Sequence, residues 1–289
     1  MYDYHFRVAG LLIHVISPFP IHEFYELSNY ISECESHEQP DAVYTLDYLP
    51  QDWSIRGTAI LKDRQNAIYE YQGDEHRYFF WNVHSQEYYV LLSHRLDDPS
   101  HYAIYLQRDT LDRVMAHFHL SAFLSPERLL LRHEAFLLHA SVIDWQGNGI
   151  LFSAPSGTGK STQAALWEQT EGADILNGDR ALIRRQNGKF RVYGSPYAGT
   201  SGVHTNRSVP IRAIVVLSQA KTNILTKINS LKAFTQLYRE ATVYSWDPDF
   251  VSSLSLYYRV VVFSAPLQGH VLHCRGCCGL VCSSYRETV

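Results

Sequence analysis

The stretch Ala154-Pro155-Ser156-Gly157-Thr158-Gly159-Lys160-Ser161 constrains this chain more than any other. It matches G-x-x-x-x-G-K-[ST] at every position but the first, where Ala154 stands for glycine. The apolar run Ile150 to Ser153 reads as a strand before it, and Ser161 to Thr170 as a helix that stops at Gly172. Strand, glycine-rich turn and helix in that order are the context of a phosphate-binding loop. Gly157 and Gly159 let the backbone turn so that successive N–H groups converge on phosphate oxygens. The helix adds its positive N-terminal end. Lys160 would neutralise β/γ-phosphate charge, and the Ser161 hydroxyl would ligate Mg²⁺. The expected nucleotide contacts are Ser156, Gly157, Thr158, Gly159, Lys160, Ser161 and Thr162, with ATP and Mg²⁺ as the bound species.

Two residues outside the loop carry candidate chemistry. Asp179 ends the segment ADILNGD, and a carboxylate leaving a buried strand there can hold Mg²⁺ or accept the proton of an attacking hydroxyl. The competing reading is a turn aspartate after Asn177-Gly178. His139 interrupts the apolar strand FLLHASVI, which neighbours the strand feeding the loop. A histidine in such a strand is either a satisfied core residue or a ring aimed at the γ-phosphate and Asp179.

The rest of the chain frames this site. With 289 residues and 46% hydrophobic content there is enough apolar mass for a packed core and room for two domains. Lys+Arg 25 against Asp+Glu 29 leaves no basic field for nucleic-acid phosphates. No apolar run is long enough to span a membrane. Asp3, His5, Arg7 and His14 break up the N-terminal apolar stretch, which does not read as a secretory signal and points to a cytoplasmic protein. Residues 1–122 read as a β-rich, aromatic module for substrate or partner binding. Its short strands are Tyr2–Ile16, Trp53–Leu61, Asn66–Tyr71, His76–Trp81, Glu87–Leu92 and Tyr102–Leu106, at antiparallel spacing. Two helices, Thr110–Leu120 and Glu127–Phe136, bracket the boundary, the second capped by Ser125. Residues 123–260 read as the nucleotide-binding domain: strands LLHASVID, GILFSA, ADIL and IRAIVVLS, an ALIRRQ/KFRVYG hairpin turning on Asn187-Gly188, and a helix capped by Ser230. Residues 261–289 hold Cys274, Cys277, Cys278 and Cys282, whose C-x2-C-C-x3-C spacing lacks the separated knuckles of a structural zinc site.

At LLHASVIDWQGNGILFSAPSGTGKSTQAALW and ILNGDRALIR the chain resembles the HPr serine kinase/phosphorylase superfamily. The resemblance implies an α/β (α+β) fold, a phosphoenolpyruvate carboxykinase-like P-loop domain with a mixed sheet behind a β-rich N-terminal domain. It also implies a kinase site made of His139, Lys160, Ser161 and Asp179, with Ser161 and Asp179 on the metal. Bifunctional members have two adjacent aspartates where this chain has Gly178-Asp179, and an acidic residue where it has Thr162. Both departures weaken the case for the reverse reaction, phosphorolysis. SPYAGTSGVHTNRSVP replaces the family's arginine- and glycine-rich signature, and Arg207 within it is the expected phosphate-facing cation.

The likeness is closer to stand-alone HPr-kinase-like proteins encoded beside peptide biosynthesis clusters, some of which phosphorylate the C-terminal serine of a lasso-peptide precursor. It covers Leu137 to Pro248 and, more weakly, the opening YHFRVAGLLIHVISPFPI. It implies an ATP-dependent kinase whose partner is a peptide or protein bearing a serine, with homo-oligomers common in the superfamily. After about Val260 the chain shows no helical period and none of the family's composition, as a frameshifted tail would. A small-molecule hydroxyl kinase and a non-catalytic ATP-binding regulator remain open alternatives.

Overall fold

Four two-residue turns set the strand pairing before any tertiary contact does. Ala9-Gly10, Gln72-Gly73, Gln146-Gly147 and Asn187-Gly188 each place both residues at positive φ, between 50° and 79°. Such turns twist in the same sense as the strands they join. The computed structural model describes residues 1–21, 27–35, 37–50, 53–62, 66–82, 87–111, 126–220, 224–264 and 270–273. It divides into two compact units, Met1–Leu129 and Leu130–Val289.

The first unit is an eight-stranded sheet. Its strands are β1 (Tyr2–Val8), β2 (Leu11–Ser17), β3 (Ala42–Tyr48), β4 (Thr58–Lys62), β5 (Asn66–Tyr71), β6 (Glu75–Asn82), β7 (Glu87–Arg95) and β8 (His101–Leu106). The order is β1-β2-β3-β8-β7-β6-β5-β4. The expected single strand over Tyr2–Ile16 is a hairpin, broken at Ala9-Gly10. The sheet is mixed, because β3 runs parallel to both β2 and β8. Sequence inspection passes over β3, although its alternation is regular: Ala42, Tyr44 and Leu46 are buried, while Thr45 and Asp47 are exposed. Tyr102 stacks on Tyr44 and on His94, each at 4.6 Å, so the buried face is largely aromatic.

In the second unit, α1 (Glu127–Arg132), which begins within the first, leads into β9 (Ala135–Trp145) and β10 (Asn148–Ser153). The helix expected to reach Phe136 ends early. Glu134 turns into the left-handed region, and Ala135 and Phe136 already pair with Arg184 and Ile183. Next come α2 (Lys160–Glu171), β11 (Asp174–Asn177), β12 (Arg180–Gln186), β13 (Lys189–Tyr193), β14 (Ser208–Ser218) and β15 (Ile224–Lys227). The chain continues with α3 (Ser230–Arg239), α4 (Pro248–Ser264) and β16 (His270–His273). Strand β10 pairs antiparallel with β9 and parallel with β14, so β9, β12, β13, β14 and β10 close on themselves.

Asn229, not Ser230, caps α3, its side chain accepting from Lys232 N–H at 2.9 Å. Leu231 in its first turn is 74% exposed. Helix α4 runs on to Ser264, so helical structure does not stop at Val260, and β16 inserts between β14 and β15. The expected helix over Thr110–Leu120 lies almost wholly outside the described residues, as do Ser125 and the four C-terminal cysteines. No described helix is long and apolar enough to cross a membrane.

The sheet of the second unit is covered on both faces. Ala164 and Trp167 of α2 pack with Ile143, Phe152 and Val215 on one face, and Trp167 is fully buried. Leu237 of α3 with Phe250, Leu254 and Tyr258 of α4 pack with Leu138, Ala140 and Val142 on the other. The period of two along β9 therefore puts His139, Ser141 and Ile143 on the face that carries α2. That alternation positions the site.

Candidate functional site

The loop between β10 and α2 opens at one end of β10. Gly157 and Gly159 hold φ +77° and +114°, conformations that side chains rarely adopt. Ala154 is fully buried in the cluster beneath α2, so its methyl group fills core space where the general pattern has glycine. Ser156 and Gly157 are exposed, as are Ser161 and Thr162 in the first turn of the helix. Lys160 is buried, and its Nζ donates to the carbonyls of Ala154 at 2.8 Å and Pro155 at 3.3 Å. Burial pushes its amine below the ordinary value, a shift that the Glu240 and Asp179 carboxylates oppose.

Asp179 is set by an asparagine turn. The Asn177 side-chain oxygen accepts from Asp179 N–H at 2.8 Å and Arg180 N–H at 2.7 Å. The Asn177 amide donates to the carbonyls of Ser195 at 2.9 Å and Tyr197 at 3.2 Å. Ala140 N–H and the Ser141 hydroxyl tie Asp179 and Gly178 to β9 through their carbonyls. Gly178 has no room for a side chain, because a Cβ there would stand 1.9 Å from Ser201 Oγ. A side chain at this position could not be built without moving Ser201.

His139 faces two carboxylates. Its Nε2 lies 3.5 Å from Asp179 Oδ1, and its Nδ1 lies 3.1 Å from Glu240 Oε2. An imidazole with a proton on each nitrogen donates to both. The hydrogen bond from His139 is the first cause of a depressed Asp179 carboxyl, helped by its charge and those of Arg180 and Lys160 and opposed by burial.

Glu240 sits just past α3, which sequence inspection treats only as a packing helix. Its backbone is stitched to the same strand, with His139 N–H donating to Glu240 O at 2.9 Å and Ala241 bridging Leu138. Nothing in the local sequence around Glu240 marks it, because its contact with His139 spans 101 positions. Arg180, directly after Asp179, is also new: its Nε lies 3.8 Å from Asp179 Oδ2, and its guanidinium bonds the Thr242 hydroxyl.

Arg207 is not brought to this cluster. Its guanidinium pairs with Asp144 at 2.7 Å and Asp174 at 3.0 Å. These carboxylates lie in register on β9 and β11, and Asp144 is five strand positions from His139, about 17 Å at 3.3 Å per residue. The arginine beside Asp179 is Arg180, 3.8 Å from its Oδ2.

A family profile described as "SynChlorMet cassette protein ScmC" matches residues 108–268, more than half of the chain. No curated protein matches. Among solved structures, the HPr(Ser) kinase/phosphatase from Coxiella burnetii aligns at 16% identity with a TM-score of 0.24. That alignment covers 32% of this chain and 77% of the other.

Proposed function

This chain belongs to the SynChlorMet cassette protein ScmC family, and we propose that it is an ATP-dependent serine kinase acting on a peptide. The observation that carries the reading is the meeting of Lys160, at the mouth of a phosphate-binding loop, with the Asp179–His139–Glu240 chain. In this reading the triphosphate lies along the N–H groups of Gly157 to Thr162 at the head of α2. Lys160 exchanges two neutral carbonyl partners for charged β/γ-phosphate oxygens, a stronger class of hydrogen bond.

The oxygen donors fit Mg²⁺. The Ser161 hydroxyl is exposed, and the half-exposed Asp179 carboxylate is held ionised, which is the hard ligand type this ion takes. When bound, the ion would supply charge neutralisation between the β- and γ-phosphates.

The acceptor serine Oγ forms a bond to the γ-phosphorus as the bridging bond to the β-phosphate oxygen breaks, releasing ADP. Asp179 takes the hydroxyl proton. His139, fixed by Glu240, orients the Asp179 carboxylate, and Arg180 offers positive charge on the same side. Positioning and electrostatics account for most of the rate.

The acceptor proposed is the C-terminal serine of a lasso-type precursor peptide. Incubating such a peptide with protein, ATP and Mg²⁺ should add about 80 Da to a serine, read by intact mass. Asp179→Asn should abolish the gain while ATP still binds. ATP binding without a mass gain in the wild type would overturn the reading in favour of a small-molecule kinase or a nucleotide-responsive regulator.

A further inference from the structure

The first unit contains a cavity of about 550 Å³ on the face of its sheet opposite the aromatic core. Its floor follows from register. Thr45 on β3 pairs with Ala103 on β8, and Ala103 with Ser93 on β7, so three small side chains lie in a row on one face of central strands. On one flank Leu91 pairs with Tyr105, and Trp53 packs in the same apolar cluster. On the other flank Glu75 pairs with Arg95, and Arg77 closes the row beyond Ser93. Thr45 is exposed although it lies on an internal strand, so this face is open at its centre.

The polar wall pairs most of its own charges. The Arg77 guanidinium stacks 3.7 Å over the Tyr71 ring, and its Nε donates to Glu75 at 2.6 Å. The Ser93 hydroxyl also donates to Glu75, at 2.6 Å, and Asp98 is taken by His101 at 2.8 Å. Both lining carboxylates are therefore engaged. Arg56 has no carboxylate partner among the described residues; its Nε donates to Ser54 Oγ at 3.1 Å. Of the three arginines that line the cavity, Arg77 is held by Glu75 and Arg95 by Asp97 at 2.8 Å and Asp74 at 3.1 Å, which leaves Arg56 as the one that can take a ligand's charge.

The row from Arg77 to Thr45 crosses four strands, about 14 Å at 4.8 Å per spacing, which is the reach of about four extended residues. A cavity of this size lies in the range of ligand sites, roughly 300–1,000 Å³. We propose that it docks a short peptide segment presenting an aromatic side chain next to a carboxylate. The ring would lie on the small-residue floor against Trp53 and Tyr105, and the carboxylate would meet Arg56. The inference rests on the reading of the acceptor as a peptide, and it assigns the first unit to recognition instead of chemistry.

The test is fluorescence anisotropy of fluorescein-labelled tetrapeptides holding one Phe and one Glu in each order, with the full chain and no nucleotide. The expected result is binding that weakens about tenfold when Glu is replaced by Gln. Thr45→Trp and Ala103→Trp should each abolish it by filling the floor, and Arg56→Gln should weaken it about fivefold. Thr45 is exposed, so Thr45→Trp leaves the core intact, and unchanged ATP affinity reports that the second unit is folded. Equal affinity for the Gln peptides, binding that survives both floor variants, or no binding at roughly millimolar peptide would each overturn the proposal. Free phenylalanine competing as well as the peptides would also overturn it, in favour of a small-molecule site. Because the readout involves no phosphoryl transfer, peptide binding without a kinase reaction would leave docking standing and defeat only the kinase reading.

Discussion

Lys160 carries a positive charge into a buried position where its Nζ donates to two main-chain carbonyls. Burial is the largest influence on its amine and disfavours the charged form. In the kinase reading such a residue is held for its ligand and not for stability. Lys160→Met should therefore leave the nucleotide-free melting temperature unchanged or raise it, while weakening ATP binding by at least about a hundredfold, or 2.7 kcal/mol. Calorimetry and scanning fluorimetry on one preparation check both halves. Asp179 behaves in the opposite sense. Its carboxyl is depressed, first by the hydrogen bond from His139, so its contribution to stability is complete above the ordinary value of 3.8 and is lost as pH falls through the folded value. His139→Gln weakens that hold. The acid limb of the kcat profile, which requires ionised Asp179, should then move to higher pH, and acid unfolding should begin at higher pH as well. A limb that stays in place would show that His139 does not tune Asp179.

The turn that presents Asp179 is crowded from outside its own strand. Gly199 sits at φ +57°, and a Cβ there would lie 2.6 Å from Asp179 Cβ and 2.7 Å from its Cγ. Gly199→Ala should displace the carboxylate and lower kcat at least tenfold, about 1.4 kcal/mol in the barrier, with ATP affinity within about twofold of wild type. Gly202→Ala is the matched control. Its φ is +66° but open space surrounds the new methyl, so it should cost about 1 kcal/mol of stability and leave kcat unchanged. Equal losses from the two would place the effect in backbone strain. These contacts also show where sequence reading stops at the level of elements. The loop, α2, β9 and β10 are legible because each depends on neighbours within a few positions. The Asn187-Gly188 turn is legible for the same reason. Glu240 and Gly199 act across gaps in sequence, through a helix end and a turn that only the closed sheet brings beside β9. The pairing of Arg207 is illegible for the same reason: its partners Asp144 and Asp174 become a pair only through the β9–β11 register.

At the scale of the whole molecule, the β-rich character of the first unit can be read from its aromatic and β-branched runs, but its mixed topology cannot. Strand β3 pairs parallel with β8, more than fifty positions later, and no local pattern encodes that. The end of the chain gives the sharper case. Its sequence shows no helical period, yet His270–His273 lies between β14 and β15, with Val216 opposite Val271 on one side and Thr226 opposite Val271 on the other. Strand β14 is also a wall of the closed sheet and, through β10, neighbours the loop between β10 and α2. Ending the chain after Ser264 would leave the β14 edge and the whole of β15 without their shared partner, exposing unpaired main-chain groups beside a buried core. The truncated chain should melt at least about 5 °C lower than the full chain, given roughly 2–4 °C per kcal/mol for a protein of this size. It should also gain a larger share of that loss back when saturating ATP is added, because ligand binding to the folded state stabilises by mass action. An unchanged melting temperature would mean that β14 and β15 hold their places without β16.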